Sequence, residues 1–186
     1  TNNGVYLLKD GQASFIEGTQ GQVYSIQQID EHLFVGHNNG PMIIEEGKAR
    51  LLDNEKGAWL FRSIPDRKNE YLIGSYLGLR KLSYINGRWN VVKVKGFDES
   101  SRVMHFEKDY LWLTQGYKGA FKLNFNKDYT AVVKTQLYNS NKGFPTDILI
   151  NVFDIGNQLI FGSESGVFEY NESTDQFERV IEFEKH

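Results

Sequence analysis

Leu159-Ile160-Phe161-Gly162-Ser163-Glu164-Ser165-Gly166-Val167-Phe168-Glu169-Tyr170 decides the fold, because its pattern recurs along most of the chain. An apolar triplet and a small residue lead into a short polar turn, which a glycine closes before a second apolar run. The pattern returns in Leu33-Phe34-Val35-Gly36-His37-Asn38-Asn39-Gly40-Pro41-Met42-Ile43-Ile44 and in Tyr71-Leu72-Ile73-Gly74-Ser75-Tyr76-Leu77-Gly78-Leu79. A copy one residue longer is Leu111-Trp112-Leu113-Thr114-Gln115-Gly116-Tyr117-Lys118-Gly119-Ala120-Phe121.

Working outward, Asn2-Asn3-Gly4-Val5-Tyr6-Leu7-Leu8 aligns with Asn38-Asn39-Gly40 onward, so the chain starts in mid-repeat. Between the closing glycines Gly4, Gly40, Gly78, Gly119 and Gly166 the steps are 36, 38, 41 and 47 residues. Their mean, about 40, is the period of a four-stranded propeller blade. Helical solenoids share that period, but the intervening segments lack amphipathic spacing and are rich in Val, Ile, Phe, Tyr and Gly.

Four strand-like runs fit each period. The first unit uses Val23 to Ile29, Leu33 to Val35, Met42 to Ile44 and Ala49 to Leu52. The second uses Trp59 to Ile64, Tyr71 to Ile73, Leu79 to Tyr84 and Trp89 to Val94, with Asn86-Gly87 as a tight hairpin turn. The third uses Val103 to Phe106, Leu111 to Leu113, Phe121 to Phe125 and Ala131 to Leu137. The fourth uses Ile148 to Ile155, Leu159 to Phe161, Val167 to Tyr170 and Phe177 to Ile181, with a turn at Gly156-Asn157. Gly36, Gly74 and Gly162, at the ends of second strands, predict close backbone approach or a positive φ.

The expectation is an all-β chain forming part of a β-propeller ring: an N-terminal half-blade over 1–18, then antiparallel blades over about 19–57, 58–96, 97–143 and 144–183. Only Glu184, Lys185 and His186 follow the last strand, too few to complete the half-blade. Its open edge therefore predicts either the remaining blades of a longer protein or self-association.

The sequence has 186 residues, 40% hydrophobic and 14% aromatic, which is enough to bury a core. A net charge of -3 and scattered Lys and Arg give no attraction for nucleic acid or an anionic membrane surface. Cysteine is absent, which excludes disulfides and thiolate metal sites. No apolar run approaches the roughly 20 residues of a membrane helix, and Thr1-Asn2-Asn3 does not open a signal peptide, so a soluble segment is expected.

The fourth repeat carries a family resemblance. Gly143-Phe144-Pro145-Thr146-Asp147-Ile148-Leu149-Ile150-Asn151-Val152-Phe153-Asp154, then Gly156-Asn157-Gln158-Leu159-Ile160-Phe161-Gly162 and Gly166-Val167-Phe168-Glu169-Tyr170-Asn171, resembles the two-component-regulator propeller repeat. Phe144-Pro145 stands for that family's leucine-proline pair, Asp154-Ile155-Gly156 is a compressed form of its Asp-x-x-Gly turn, and its strand tryptophan survives only as Trp112 in the third repeat. The resemblance implies a piece of the periplasmic or extracellular sensor region of hybrid two-component kinases or membrane-anchored regulators. It further implies a non-enzymatic module for signal transduction and carbohydrate sensing, with any kinase activity outside this chain. A scaffold for self-assembly and a carbohydrate-active lyase or hydrolase are the alternatives.

Side chains with chemistry are few. The histidines, His32, His37, His105 and His186, lack ligand spacing, so no metal or other cofactor is expected. The carboxylates fall mostly in turns, and a glycosidase would need two of them about 5 to 9.5 Å apart in one cleft. Trp59, Trp89 and Trp112 lie within strands and are read as packing between blades. Tyr76 and Tyr117 instead sit in loops between second and third strands, which share a propeller face with the blade-to-blade connections. With them on that face the pattern places His37, Asn38, Asn39, Ser75, Gln115, Lys118, Ser163 and Glu164, and from the connections Arg102, Asn139, Asn141 and Lys142. Aromatic, amide and hydroxyl groups of this kind suit an oligosaccharide or a peptide.

Overall fold

A computed structural model describes residues 2–156 and 158–181. Asn157, from the expected Gly156-Asn157 turn, and Glu184, Lys185 and His186 lie outside the described residues. The chain divides into two compact units, residues 1–93 and 94–186.

In the first unit a two-stranded hairpin, β1 (Tyr6–Lys9) and β2 (Gln12–Phe15), precedes two four-stranded antiparallel sheets. One sheet contains β3 (Val23–Ile29), β4 (His32–His37), β5 (Gly40–Glu45) and β6 (Lys48–Leu51) in sequence order. The other contains β7 (Ala58–Ser63), β8 (Glu70–Ser75), β9 (Leu79–Ile85) and β10 (Arg88–Lys93). Asn86 (φ 51°) and Gly87 (φ 76°) both take the left-handed conformation that a two-residue hairpin with native twist demands. The same device, with Asp10-Gly11, joins β1 to β2.

Second strands are apolar at successive positions because both of their faces are covered. In β4, Phe34 turns toward the second sheet, where it stacks on Phe61 at 4.7 Å and joins Ile43, Ala58, Tyr71, Ile73 and Leu82. Its neighbour Val35 turns the other way and, with Met42, packs on Val5 and Ile16 beside the hairpin. The outer side of the hairpin leaves Tyr6, Leu8 and Phe15 exposed. Gly36 settles the question raised at the strand ends: it has no positive φ, but a Cβ there would lie 2.4 Å from the carbonyl oxygen of Trp59.

The second unit repeats the plan with β11 (Val103–Glu107), β12 (Tyr110–Gln115), β13 (Gly119–Phe125) and β14 (Val132–Tyr138), then β15 (Asn151–Ile155), β16 (Gln158–Ser163), β17 (Gly166–Asn171) and β18 (Gln176–Arg179). Its core is centred on Trp112, fully buried, with Tyr138, Tyr170, Phe161 and Phe177 all edge-on to the indole at 5.0–5.3 Å. Packing is thus the role of Trp112, and Trp89 packs against the first unit's core. One boundary differs from the expectation. The strand foreseen from Ile148 begins only at Asn151, because Leu149 is left-handed (φ 57°) and donates its amide to the Gly116 carbonyl at 2.9 Å.

Candidate functional site

In the first unit, the end that carries the loops between second and third strands holds an aromatic cluster. The ladder between β3 and β4 jumps from Val23–His37 to Ser25–Gly36, so Tyr24 is bulged out of register. The ladder between β7 and β8 does the same at Trp59, jumping from Ala58–Ser75 to Leu60–Gly74. Bulges re-aim side chains. Here the two rings meet at 4.3 Å, and Tyr76, from the β8–β9 loop, closes the group 5.1 Å from Trp59 and 6.1 Å from Tyr24.

Polar bonds fix the rings. The Tyr76 hydroxyl donates to Asn38 Oδ1 at 2.7 Å and is bonded to the Tyr24 hydroxyl, which also reaches Gln22 Oε1 at 3.3 Å. Burial, followed by the bond to Tyr24, pushes the Tyr76 phenol up to about 12, so it stays a neutral donor at physiological pH. Beneath the ring runs the connection between blades. Gly57 donates its amide to the Asn38 carbonyl (2.9 Å) and accepts from the Tyr76 amide (3.1 Å), and a Cβ on Gly57 would lie 2.2 Å from the Tyr76 ring. Arg80, 4% exposed, anchors that connection through Asp53 Oδ2 (3.2 Å) and Glu55 Oε2 (3.3 Å).

The other residues named from sequence hold their own turns, pair with a neighbouring side chain or are exposed. His37 was expected in the turn after the second strand; it is instead the last residue of β4 and fully buried, because the Gly21 segment lies across it, with a Cβ on Gly21 only 3.3 Å from the ring. Its Nδ1 accepts from the Asn39 amide at 3.0 Å, and burial lowers its pKa against the opposing pull of the Thr19 and Gln20 backbone. Such a neutral histidine shapes the Asn38-Asn39 turn from inside. Asn39 itself is exposed.

In the second unit Tyr117 is 82% exposed, its amide held by Gln115 Oε1 at 2.7 Å. Lys118 reaches back to Glu99 at 2.6 Å, and Arg102 lies exposed on the connection into β11. Ser163 is engaged within its own turn, accepting from the Ser165 amide at 3.2 Å, and Glu164 faces solvent. Asn139 caps the short 3-10 turn Ser140–Lys142 by accepting from the Asn141 amide, and Lys142 pairs with Asp175 at 2.7 Å. Gln115, Ser163 and Asn139 thus hold their own turns, whereas Tyr117, Arg102 and Glu164 are exposed.

Sequence reasoning missed Tyr24 and read Trp59 as packing alone. The signal was present: Val23-Tyr24-Ser25 and Ala58-Trp59-Leu60 place an aromatic at the same point of consecutive first strands. The bulge that turns both rings toward Tyr76 does not show in the spacing. The cluster offers three half-buried ring surfaces beside amide and hydroxyl groups, which suits a flat ligand with polar edges. Among the described residues there is no group of three or more His, Asp or Glu side chains arranged to hold a metal ion, and no helix long and apolar enough to cross a membrane.

The fold is that of a β-propeller built from four-stranded antiparallel blades, with a half-blade before them. Two crystal structures of the extracellular domain of BT4673 from B. thetaiotaomicron, described in one as a one-component and in the other as a hybrid two-component system, match at TM-scores of 0.67 and 0.66. Both are 18% identical to this chain, over 84% of its length and 21% of theirs. The chain therefore spans about a fifth of that domain. The WD40 propeller domain of Doa1 matches at a TM-score of 0.58 and 12% identity, over 89% of this chain and 55% of that one. No protein-family model and no curated protein matches the sequence.

Proposed function

We propose that this chain is part of an extracellular or periplasmic sensing propeller of a two-component-type regulator, non-enzymatic in itself, and that Tyr24, Trp59, Tyr76 and Asn38 form its recognition surface for a saccharide. The observation that carries the reading is the braced aromatic cluster. Two strand bulges and a glycine without room for a Cβ hold three half-buried rings together beside an asparagine. Packing alone does not call for rings turned out of register at a loop end. The likeness to the extracellular domain of BT4673 supports the sensing class, and the repeat resemblance around Phe144-Pro145 points the same way.

The role of each residue follows from its chemistry. Tyr76 and Trp59 offer faces on which the C–H side of a pyranose ring stacks, while the Asn38 amide and the Gln22 side chain exchange hydrogen bonds with hydroxyls. Titration calorimetry against a panel of oligosaccharides tests the reading. A binding saccharide is expected to lose at least tenfold in affinity in Tyr76→Ala and in Tyr24→Phe/Trp59→Ala, with no sugar released from polysaccharides. Undiminished binding in both variants would remove the cluster from recognition.

A further inference from the structure

The turn between β4 and β5 is tied to a histidine that water does not reach. His37 ends β4 and pairs with Gly40, which leaves Asn38 and Asn39 as the two-residue turn between them. The ring is fully buried, and its Nδ1 accepts from the Asn39 amide at 3.0 Å. That bond needs a lone pair on Nδ1, so the neutral ring carries its proton on Nε2. We infer that protonation of His37 opens the Asn38-Asn39 turn and unlocks Tyr76, which makes the aromatic cluster an acid-sensitive surface.

The geometry carries the inference. A proton on Nδ1 would face the Asn39 N–H, donor against donor at 3.0 Å, in a buried place with no water to separate them. The ring is confined, because the Gly21 segment lies across it, with a Cβ on Gly21 only 3.3 Å from Cε1 and 3.4 Å from Nε2. The turn is the part that can yield, since Asn39 is exposed. Its other bonds lead to the cluster. Asn38 Oδ1 accepts from the Tyr76 hydroxyl at 2.7 Å, and the Asn38 carbonyl accepts from the Gly57 amide at 2.9 Å. Displacing Asn38 removes the acceptor of the Tyr76 hydroxyl and the bond that holds Gly57 beneath the ring.

The segments packed on the imidazole supply Thr19, Gln20, Gly21, Val23 and Gly40, all uncharged. Glu17, further along the connection, pairs with Lys48 in solvent, and Asp53 and Glu55 pair with Arg80. Tyr24 and Tyr76 are the titratable groups on the cluster side, and the Tyr76 phenol, pushed up to about 12, stays neutral in acid. Burial therefore dominates and lowers the His37 pKa from its ordinary 6.5, against the pull of the Thr19 and Gln20 backbone. With the pKa lowered, the turn is closed at neutral pH and opens only below about pH 6.5. The effect on a ligand rests on the proposed recognition role of Tyr76, whereas the opening of the turn does not.

The test is an NMR titration of the full chain from about pH 7.5 to about pH 4.5, with the His37 ring, the Asn39 amide and the Tyr76 ring as probes. His37 is expected to titrate in one step below the ordinary 6.5. Across that step the hydrogen-exchange protection factor of the Asn39 amide should fall at least tenfold, and the Tyr76 ring resonances should shift with the same midpoint. His37→Asn keeps an acceptor near the Nδ1 position but does not titrate, so it should hold both probes constant. Far-UV circular dichroism over the same range checks that the strands persist; should the variant not fold, the wild-type titration decides by itself. Unchanged Asn39 protection through the His37 titration, a ring still neutral at the acid end, or the same transition in folded His37→Asn overturns the proposal. So does unfolding of the whole chain at the His37 midpoint, which would make the histidine an element of general acid stability. No saccharide enters the measurement, so a failure here is distinct from a failure of the recognition reading.

Discussion

Asp175 shows how one side chain gathers a local network. The hydroxyls of Tyr138 and Tyr170 donate to its Oδ1 at 2.7 and 2.8 Å, and Lys142 meets its Oδ2 at 2.7 Å. These donors, Lys142 first, hold the Asp175 carboxyl well below the usual carboxylate range. A depressed folded pKa adds stability that is present above the unfolded value, near 3.8, and fades as pH falls toward the folded one. Comparing melting temperatures of wild type and Asp175→Asn from about pH 6 to pH 2 should therefore show a gap that narrows below about pH 4. Nothing in the local sequence announces this role: Asp175 reads as one more turn carboxylate, and its partners lie five, 33 and 37 residues away. Trp112, by contrast, was legible as packing because it stands inside the apolar run Leu111 to Leu113.

At the level of elements, β3 and β7 belong to different sheets with no ladder between them, and one side chain substitutes for it. Gln27 on β3 donates through Nε2 to the Phe61 carbonyl at 3.2 Å and accepts the Phe61 amide at 2.8 Å, imitating a strand pair with β7. Ser25 adds a bond to the Trp59 carbonyl at 2.7 Å. Replacing Gln27 by Leu leaves both backbone groups of Phe61 without these partners, at a cost of about 1–3 kcal/mol. Urea denaturation should report that loss, and a midpoint equal to wild type would show that water replaces the clasp. The strand runs themselves were legible from alternation and turn chemistry, and Asn86-Gly87 turns as its residue types dictate. The late start of β15 was not, since the left-handed Leu149 answers to a carbonyl on Gly116, far away in sequence.

At the scale of the whole molecule, the core cluster around Phe34 and Phe61 shares no residue with the one around Trp112 and Phe161. Ile73→Val in the first and Ile150→Val in the second should each cost about 0.5–1.5 kcal/mol. The double variant should lose their sum to within about 0.5 kcal/mol, as sites with no shared partners do; a larger departure in urea denaturation would reveal coupling between these clusters. The sequence by itself determined the class of fold, four four-stranded blades behind a half-blade, because a strand covered on both faces must be apolar at every position and the period of that signal is local. It also placed Tyr76 and Asn38 in loops, since polar inserts closed by glycine can go nowhere else. Only the tertiary structure decided that Tyr24 and Trp59 join them and that His37 is buried. Those outcomes depend on bulges and on contacts between segments far apart in the chain, and residue spacing along one strand carries no record of either.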